Sequence, residues 1–466
     1  MNRVRLLGGR TRLLERAAWT VGLLAIVLNC GSALCMAADA PPAWKAGVAR
    51  AVITPEQPMW MAGYAARNKP SEGKVHDLWC KTLAIEDSKS TRLVVVTVDL
   101  IGIPRPLRES LEQEVLQRWD LPPESLLLAA SHTHCGPELR VSKAAGFEIE
   151  AERVEQSKRY CDELEATILR LIDEALEELS PAELQYTHAA AGFAMNRRLP
   201  TEQGVHNRPH VDGPVDHDVP VLKVVGADDS LKAVVFGYAC HSTTLGFYLF
   251  CGDYAGFAQQ YLEAAHPGTT AMFVAGCGGD QNPQPRRTLE LCQQHGRALA
   301  NGVEAALLGV PRKLQGPLDV VMQEIPLAYD ELPSREQLEE WAASSNKWDR
   351  RRGTFLLEKL EQEGRLEDSY PYLVQVIRFN DDLALVALAG EVVVDYSLRL
   401  KRALDFPAVW VAGYANDVFG YVPSARMLDE GGYEPLGALR YGTRPAPFKP
   451  ELEEKIVETV KGMAAR

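Results

Sequence analysis

Short, almost continuously apolar runs recur along the chain, and each ends in a turn rich in small and polar residues. A strand covered on both faces is apolar throughout, whereas a half-exposed strand alternates between apolar and polar residues. The pattern therefore predicts buried β-strands. These runs cover residues 93–100, 126–130, 233–238, 271–275, 383–388 and 408–411.

Charged, amphipathic stretches with helical spacing lie between or beyond these runs. They cover residues 106–119, 150–178, 255–265, 289–307, 334–366 and 450–464. The segment 204–213, with its glycines, proline and histidines, predicts a loop. Alternating strands and helices predict an α/β fold, with mixed sheets of buried strands flanked by helices. Ligands in such folds bind beyond the carboxyl ends of strands, so we expect catalytic loops at those ends.

The residues that follow three of these strands have side chains suited to binding a metal ion. His132 and His134 follow the run 126–130, His241 follows 233–238, and Glu391 follows 383–388. In an extended segment residues i and i+2 point to one side, so His132 and His134 are expected to face one pocket. Two histidines and a carboxylate that leave a position for water commonly hold a catalytic zinc ion. A surface histidine pair, and a packed core residue at His241, remain alternatives.

Several aspartates also lie near strand ends or at the starts of helices. Each either orients a histidine ligand or caps a turn or helix, and the sequence leaves both roles open. They are Asp99, Asp253, Asp280, Asp395 and Asp417.

The first forty residues have the pattern of a secretory signal peptide. An arginine-rich start precedes an apolar run over 17–28, and the small residues Ala37, Ala38 and Ala40 provide a cleavage site. The apolar run is shorter than the roughly 20 residues that span a bilayer, although a retained anchor remains an alternative. We expect a mature domain over 41–466 that is extracytoplasmic, either periplasmic or secreted, with no stable membrane insertion after cleavage.

Charge and cysteine content exclude some classes of partner and site. The net charge of −13 gives no electrostatic footprint for nucleic acid or anionic lipid. Seven cysteines follow the leader at irregular spacings without a CxxC pair. They predict buried small hydrophobic residues rather than a disulfide framework or a cysteine zinc site.

An ordered series of short motifs runs along the chain from residue 46 to about residue 440. The residues at 131–137 are similar to T-H-T-H-S-G-P, those at 196–198 to N-R-S, and those at 240–243 to V-H-G-T. The residues at 279–283 are similar to G-D-V-S-P, and those at 390–391 to the end of P-G-E. The residues at 416–421 and 432–434 are similar to N-x-Y-x-x-Y and R-Y-E, and those at 47–55 and 61–64 to the opening of the domain. In this order the series resembles the catalytic domain of the neutral/alkaline non-lysosomal ceramidase family.

The resemblance implies a Zn²⁺ cofactor and a role for each matching residue. His134 is implied as an acid/base or hydrogen-bonding group, and Arg197 and Tyr433 as contacts to the substrate carbonyl or its oxyanion. A packed aromatic at Tyr421 and a surface salt bridge at Arg197 are the alternatives. The implied zinc ligands are His132, His241, Glu391 and Tyr421.

Two departures from the family pattern bear on function. Asn282 stands where G-D-V-S-P has serine. Because an asparagine cannot act as the covalent nucleophile, the resemblance does not imply a serine-based acyl-enzyme route here, and we expect Asn282 to donate a hydrogen bond instead. The immunoglobulin-like C-terminal domain of ceramidases is not expected in 41–466.

We expect a zinc-dependent hydrolase that cleaves the N-acyl amide of a small amphiphilic or N-acylated, ceramide-like substrate with metal-activated water. A zinc esterase or phosphoesterase, and a non-catalytic lipid- or glycan-binding pseudoenzyme, remain alternatives.

Overall fold

A computed structural model of the chain describes residues 44–139 and 149–465. The predicted signal peptide, 1–40, lies outside the described residues. Among the helices of the described ranges, none combines the length and the apolar character needed to cross a bilayer.

Helices separate groups of one to five consecutive strands along the described chain. The strands are β1 (Trp44–Val52), β2 (Trp79–Asp87), β3 (Arg92–Val98), β4 (Leu126–Ala130), β5 (Ser180–Ala190), β6 (Ala194–Thr201), β7 (Gly204–His210), β8 (Asp218–Gly226), β9 (Leu231–Tyr238), β10 (Thr270–Ala275), β11 (Gln281–Pro283), β12 (Arg312–Lys313), β13 (Leu318–Ala328), β14 (Ser369–Phe379), β15 (Leu383–Leu388), β16 (Glu391–Val392), β17 (Val409–Ala412) and β18 (Tyr421–Val422). The helices are α1 (Arg105–Trp119), α2 (Ala151–Glu177), α3 (Asp253–Ala265), α4 (Leu289–Leu308), α5 (Arg335–Ala342), α6 (Lys347–Glu363), α7 (Val394–Ala403), α8 (Ala425–Glu430) and α9 (Leu452–Ala464).

Two mixed sheets form the centre of the fold. The larger has the strand order β10-β9-β8-β5-β1-β2-β3-β4, with β12 paired to β5, and the smaller has the order β13-β14-β15-β17. Parallel pairs occur at β3–β4, β9–β10 and β15–β17, and the other pairs in these two sheets are antiparallel. This arrangement confirms the predicted α/β class with mixed sheets.

The two sheets pack face to face and carry helices on their outer faces. One apolar cluster joins Leu83 and Val95 of the larger sheet to Leu385 and Trp410 of the smaller one. A second cluster lies between the larger sheet and α1–α4, and a third between the smaller sheet and α7 and α9. Both faces of the central strands are therefore covered, which is the physical reason why their sequences are apolar without alternation.

The carboxyl ends of strands from the two sheets meet at one place. Isolated backbone bridges join Ala129 at the end of β4 to Ala415, and Gly276 after β10 to Ala412 at the end of β17. The turns that leave β4, β9, β10, β15 and β17 are brought together there.

One of our predictions about individual segments is wrong. The segment 204–213 was predicted to be a loop, but Gly204–His210 forms strand β7 beside β6 in a three-stranded sheet. Most of β7 is exposed, so its polar composition reflects solvent rather than the absence of a strand. The stretch 334–366 is helical, as predicted, and consists of α5 and α6, with Asn346 capping the start of α6 through its side chain.

The cysteine prediction agrees with the structure. The seven described cysteines are free, and all except the half-buried Cys161 are buried.

Candidate metal centre and substrate cavity

His132 and His241 direct the same ring nitrogen to a common point. Nδ1 of His132 lies 2.7 Å from the carbonyl oxygen of Ile101, and Nδ1 of His241 lies 2.7 Å from that of Gly278. A carbonyl can only accept, so Nδ1 carries the proton in each ring and Nε2 presents a lone pair. The backbone therefore fixes the tautomer that a metal ligand requires.

Glu391 and Tyr421 reach the same point from two neighbouring parallel strands. They are direct partners in the β16–β18 pair. A carboxylate oxygen of Glu391 lies 3.3 Å from Nε2 of His132 and 3.4 Å from Nε2 of His241. The phenol oxygen of Tyr421 lies 3.2 Å from Nε2 of His241.

These donor atoms fit a divalent metal ion. In a tetrahedral zinc site with bonds of about 2.0–2.1 Å, neighbouring ligand atoms lie roughly 3.3 Å apart, which matches the separations from Glu391 and Tyr421. Two imidazole lone pairs and a carboxylate directed at one buried point repel each other unless a cation lies between them. His132, His134 and His241 also place one nitrogen each within 4.8 Å of one another.

The environment keeps the imidazoles of His134 and His241 neutral. Burial lowers the pKa of His241 to about 4, with Arg197 adding to the effect. Burial, followed by the neighbouring His132 and His241, holds the pKa of His134 well below its usual range. Neutral histidines and an ionised carboxylate are the forms that bind metal.

His134 stands beside His132 and faces the cavity. Nε2 of His134 lies 3.2 Å from Nε2 of His132, and its buried Nδ1 has no hydrogen-bond partner within the described ranges. His132 has a left-handed φ of 57°, so a turn, and not the extended geometry that we predicted, brings the two rings together. Gly63 packs on the His134 ring, since a Cβ there would lie 2.4 Å from its Cγ.

Arg197 lies behind Tyr421 with its guanidinium fully engaged. It donates to the Tyr421 phenol oxygen at 3.0 Å, to Oδ1 of Asn282 at 3.3 Å and to Glu434 at 2.9 Å. Burial opposes its charge, but Tyr421 and Glu434 outweigh it and raise the pKa of Arg197 further. Arg197 is buried among these partners, so the structure brings it against Tyr421, whereas its predicted contact to a substrate carbonyl stays a prediction.

A β-bulge in β6 explains how Arg197 and Arg198 both reach one carboxylate. Neighbouring strand residues normally point to opposite faces, but the pairing of β6 with β7 shifts between Asn196 and Arg198. Such bulges redirect a side chain. As a result Arg198 donates to the second oxygen of Glu434 at 2.6 Å.

Tyr433 stands at the cavity wall beside Tyr421. Its ring centroid lies 5.6 Å from that of Tyr421, and the guanidinium carbon of Arg197 lies 5.6 Å from the Tyr433 ring. Burial raises the pKa of Tyr433 to about 12. The phenol is therefore a hydrogen-bond donor at neutral pH.

A cavity of roughly 570 Å³ opens in front of these groups. His132, His134, Glu391, Tyr421 and Tyr433 line it. Aromatic and charged side chains form much of the rest of the wall, together with apolar ones such as Met61, Ile101, Ile149 and Leu439. The aromatic and charged residues include Trp60, Tyr64, Arg67, Glu138, Glu150, Arg153, Lys347, Trp348, Arg351, Phe419, Tyr441 and Arg444.

The aspartates cap and tie the surrounding loops, and the groups that orient His132 and His241 are backbone carbonyls. Asp253 accepts from the backbone of Thr244 and Leu245, just after His241. Asp280 accepts from Asn196 and from the backbone of Val394. The partners of the other three are likewise remote from the histidine rings: Trp79 and Gln259 for Asp99, Ser424 and Arg426 for Asp395, and Arg105 and Tyr370 for Asp417.

Sequence reasoning missed Tyr414 and Glu434. The Tyr414 ring lies 4.4 Å from the His132 ring, and its hydroxyl lies 3.2 Å from Nδ1 of His241. The position of Tyr414 directly after a buried strand, like that of His241, was a usable signal. For Glu434 the signal was its place in the segment 432–434, which resembles R-Y-E, but the motif does not reveal its role, which depends on two arginines more than 230 residues away along the chain.

Comparison with known proteins decides the family. The sequence model described as "Neutral/alkaline non-lysosomal ceramidase, N-terminal" matches residues 44–297, which is more than half of the chain. The chain belongs to this family. None of the curated protein sequences compared with it is a significant match.

Solved ceramidase structures share the fold. The neutral ceramidase from Pseudomonas aeruginosa superposes with a TM-score of 0.69 at 19% identity, covering 91% of this chain and 74% of that one. A ceramidase complexed with C2 gives a TM-score of 0.70 at 18% identity, covering 91% of this chain and 75% of that one. At such identities the likeness establishes the ceramidase fold.

Proposed function

We propose that this ceramidase-family chain is a zinc-dependent hydrolase of linear N-acyl amides with ceramide-like substrates. The observation that carries the proposal is the convergence of two Nε2 lone pairs and one carboxylate at the cavity wall, with separations of 3.3 and 3.4 Å. The proposed zinc ligands are His132, His241, Glu391 and Tyr421, and zinc is favoured because its usual ligands are imidazole nitrogens and carboxylate oxygens. A bound zinc ion supplies water activation and carbonyl polarisation in hydrolases of this kind.

The proposed roles of the other residues follow from their positions. His134 is neutral and faces the cavity, so it accepts a proton from the attacking water and returns it to the leaving nitrogen. The acyl carbon gains the water oxygen, the C–N bond breaks, and the amine leaves with the proton. Tyr433 donates a hydrogen bond to the developing oxyanion, and Arg197 keeps the Tyr421 phenol in place.

Asn282 argues for direct attack by water rather than a serine-based route. Its Oδ1 accepts hydrogen bonds from Arg197 and from the hydroxyl of Thr243 at 3.1 Å. An amide has no nucleophilic oxygen comparable to a serine hydroxyl, so we assign Asn282 the role of holding Arg197. The same residue favours a second candidate, a zinc-containing protein that binds an acylated ligand without turnover.

The proposed domain organisation and location follow the sequence prediction. We propose that 41–466 is one catalytic domain of the ceramidase type and that 1–40 directs export to the periplasm or the exterior. Fractionation of cells that express the full chain, with N-terminal sequencing of the recovered protein, tests both points. An N-terminus near residue 41 outside the cytoplasm is the expected result.

The experiment for the main proposal combines metal analysis with an activity assay. Purified protein is expected to hold about one zinc per chain and to release fatty acid from N-acylsphingosine or N-acylethanolamine, and a chelator should abolish the release. His241→Ala should lose both zinc and activity, whereas His188→Ala, at an exposed histidine of β5, should keep both. Zinc retention without turnover of amides, esters or phosphoesters would favour the binding protein instead.

A further inference from the structure

The wall of the cavity is unusually cationic for such an acidic chain. The chain has a net charge of −13, yet Lys347 and four arginines line the cavity. One of these arginines, Arg153, is neutralised by Glu138, to which its Nε donates at 2.8 Å. Arg444 has no such partner among the residues that the structure describes.

Arg444 is a largely buried cation that forms no ion pair with a carboxylate of the described residues, and the charge of Glu391 acts on it only from beyond ion-pairing distance. Its side chain stacks on Phe419 and Phe448, with the guanidinium carbon 5.7 and 4.7 Å from the ring centroids. The residue is only 7% exposed. Within residues 44–139 and 149–465 no carboxylate lies in ion-pairing distance of it, and its side chain donates no hydrogen bond to the protein. A buried charge without a partner is costly to folding, so its retention points to a ligand.

The position of Arg444 places its charge next to the proposed metal centre. A Cβ added at Gly420 would lie 3.7 Å from Nη2 of Arg444 and 3.8 Å from its Nε. Gly420 immediately precedes Tyr421 and lines the same cavity. Arg444 and Gly420 therefore line the cavity next to Tyr421, within the space open to a substrate bound at the proposed metal centre.

Helix α6 holds Arg444 and adds a second cation. Arg352 of α6 donates to the carbonyl oxygens of Arg444 and Pro445 at 3.3 and 2.7 Å, which fixes this segment against the helix. Lys347, at the start of α6, lines the same cavity, and within the described ranges it forms no ion pair. It is exposed to solvent, so a ligand can reach its ammonium group.

We infer that Arg444, supported by Lys347, is a subsite for a carboxylate, and that among N-acyl amides the preferred substrates carry an ionised acid close to the amide, as N-acylated amino acids do. A planar guanidinium matches a carboxylate through two parallel hydrogen bonds. A neutral hydroxylated head group leaves the buried charge unpaired. This inference rests on the proposed amide hydrolase and selects among its substrates.

A matched pair of substrates tests the inference. N-dodecanoylglycine and N-dodecanoylethanolamine share the acyl chain and the amide and differ in the carboxylate. The wild-type protein is expected to favour the acid in kcat/KM by at least about tenfold, which corresponds to one charge-assisted pair. Arg444→Met keeps an apolar stack on Phe419 and should lower this ratio by about tenfold or more. Arg312→Gln, at an exposed arginine of β12, is the control and should leave the ratio unchanged.

Binding of uncleavable analogues separates this inference from the proposed activity. Calorimetry on zinc-loaded protein would compare N-dodecylsulfonylglycine with N-dodecylsulfonylethanolamine, in the wild type and in Arg444→Met. Tighter binding of the acid that is lost in Arg444→Met supports the subsite even if no amide is cleaved. Equal binding of the two analogues, binding of neither, or a preference for the acid that survives in Arg444→Met overturns the subsite. Cleavage of both substrates at equal rates would leave the amide hydrolase intact.

Discussion

Replacing Glu434 with glutamine removes the charge that joins Arg197 and Arg198 behind the proposed metal centre. Glu434 is 1% exposed and accepts from Arg197 at 2.9 Å and from Arg198 at 2.6 Å. Glutamine keeps the shape but has one acceptor oxygen, and its amide group directs N–H toward the other arginine. Arg198 still pairs with Glu430 at 3.0 Å, so Arg197 is the cation that loses its carboxylate.

The magnitude follows from this burial. Removing one partner of a buried ion pair costs about 3–5 kcal/mol, because the other charge is left uncompensated. Because Arg198 still forms an ion pair with Glu430, we expect a loss at the lower end of this range, about 3 kcal/mol in the free energy of unfolding. Glu430→Gln is the matched control: its side chain is 35% exposed, so its loss should cost no more than about 1 kcal/mol.

The assay is urea denaturation of both variants and the wild type, followed by tryptophan fluorescence at pH 7.5. Burial opposes ionisation of Glu434, but Arg197 and Arg198 outweigh it and lower its pKa. A carboxyl whose pKa is lowered on folding contributes stability above its unfolded pKa, about 4.3 for glutamate, and loses it as pH falls through the folded pKa. The gap between wild type and Glu434→Gln should therefore narrow below about pH 4.

Two results would refute this reasoning. One is a free energy of unfolding of Glu434→Gln within about 1 kcal/mol of the wild-type value. The neutral amide would then stabilise the protein as well as the two ion pairs do. The other is a loss in the free energy of unfolding of Glu430→Gln as large as that of Glu434→Gln, which would mean that burial does not determine how much each carboxylate contributes.

Three further perturbations address separate parts of the site. Gly63→Ala should lower kcat by at least about tenfold while zinc content stays near one per chain, because the new Cβ would stand 2.4 Å from Cγ of His134 and catalytic groups tolerate little displacement. Tyr421→Phe should weaken zinc binding by roughly tenfold or more in a chelator competition, while circular dichroism remains that of the wild type. Burial raises the pKa of Asp280 to about 7, so its contribution to stability is full below about pH 4 and is lost as pH rises to about 7, by about 4 kcal/mol in total. Asp280→Asn should remove this dependence from pH titrations of the unfolding free energy, and an unchanged slope would contradict the assignment.

Local sequence determined six of the buried strands and most of the helices in the described part of the chain. The strand that precedes His132 and the strand that precedes Glu391 were predicted at the residues where they occur, 126–130 and 383–388. Strands buried between two layers must be apolar throughout, and the turns that follow them carry the polar groups, so the pattern is visible without any knowledge of neighbours. The polar edge strand β7 was not predicted because most of its residues are exposed to solvent, so its sequence carries no apolar run.

The tertiary structure alone decided which of these turns meet and what stands behind them. Glu391 and Tyr421 become neighbours only through the β16–β18 pairing, and Glu434 meets two arginines only because β6 carries a bulge. Arg444 reads in the sequence as an ordinary charged residue near the end of the chain. Its proposed role follows from its burial without an ion-pair partner among the described residues. The burial of one side chain depends on contacts with segments that are distant along the chain. Contacts of that kind leave no periodic trace in local sequence.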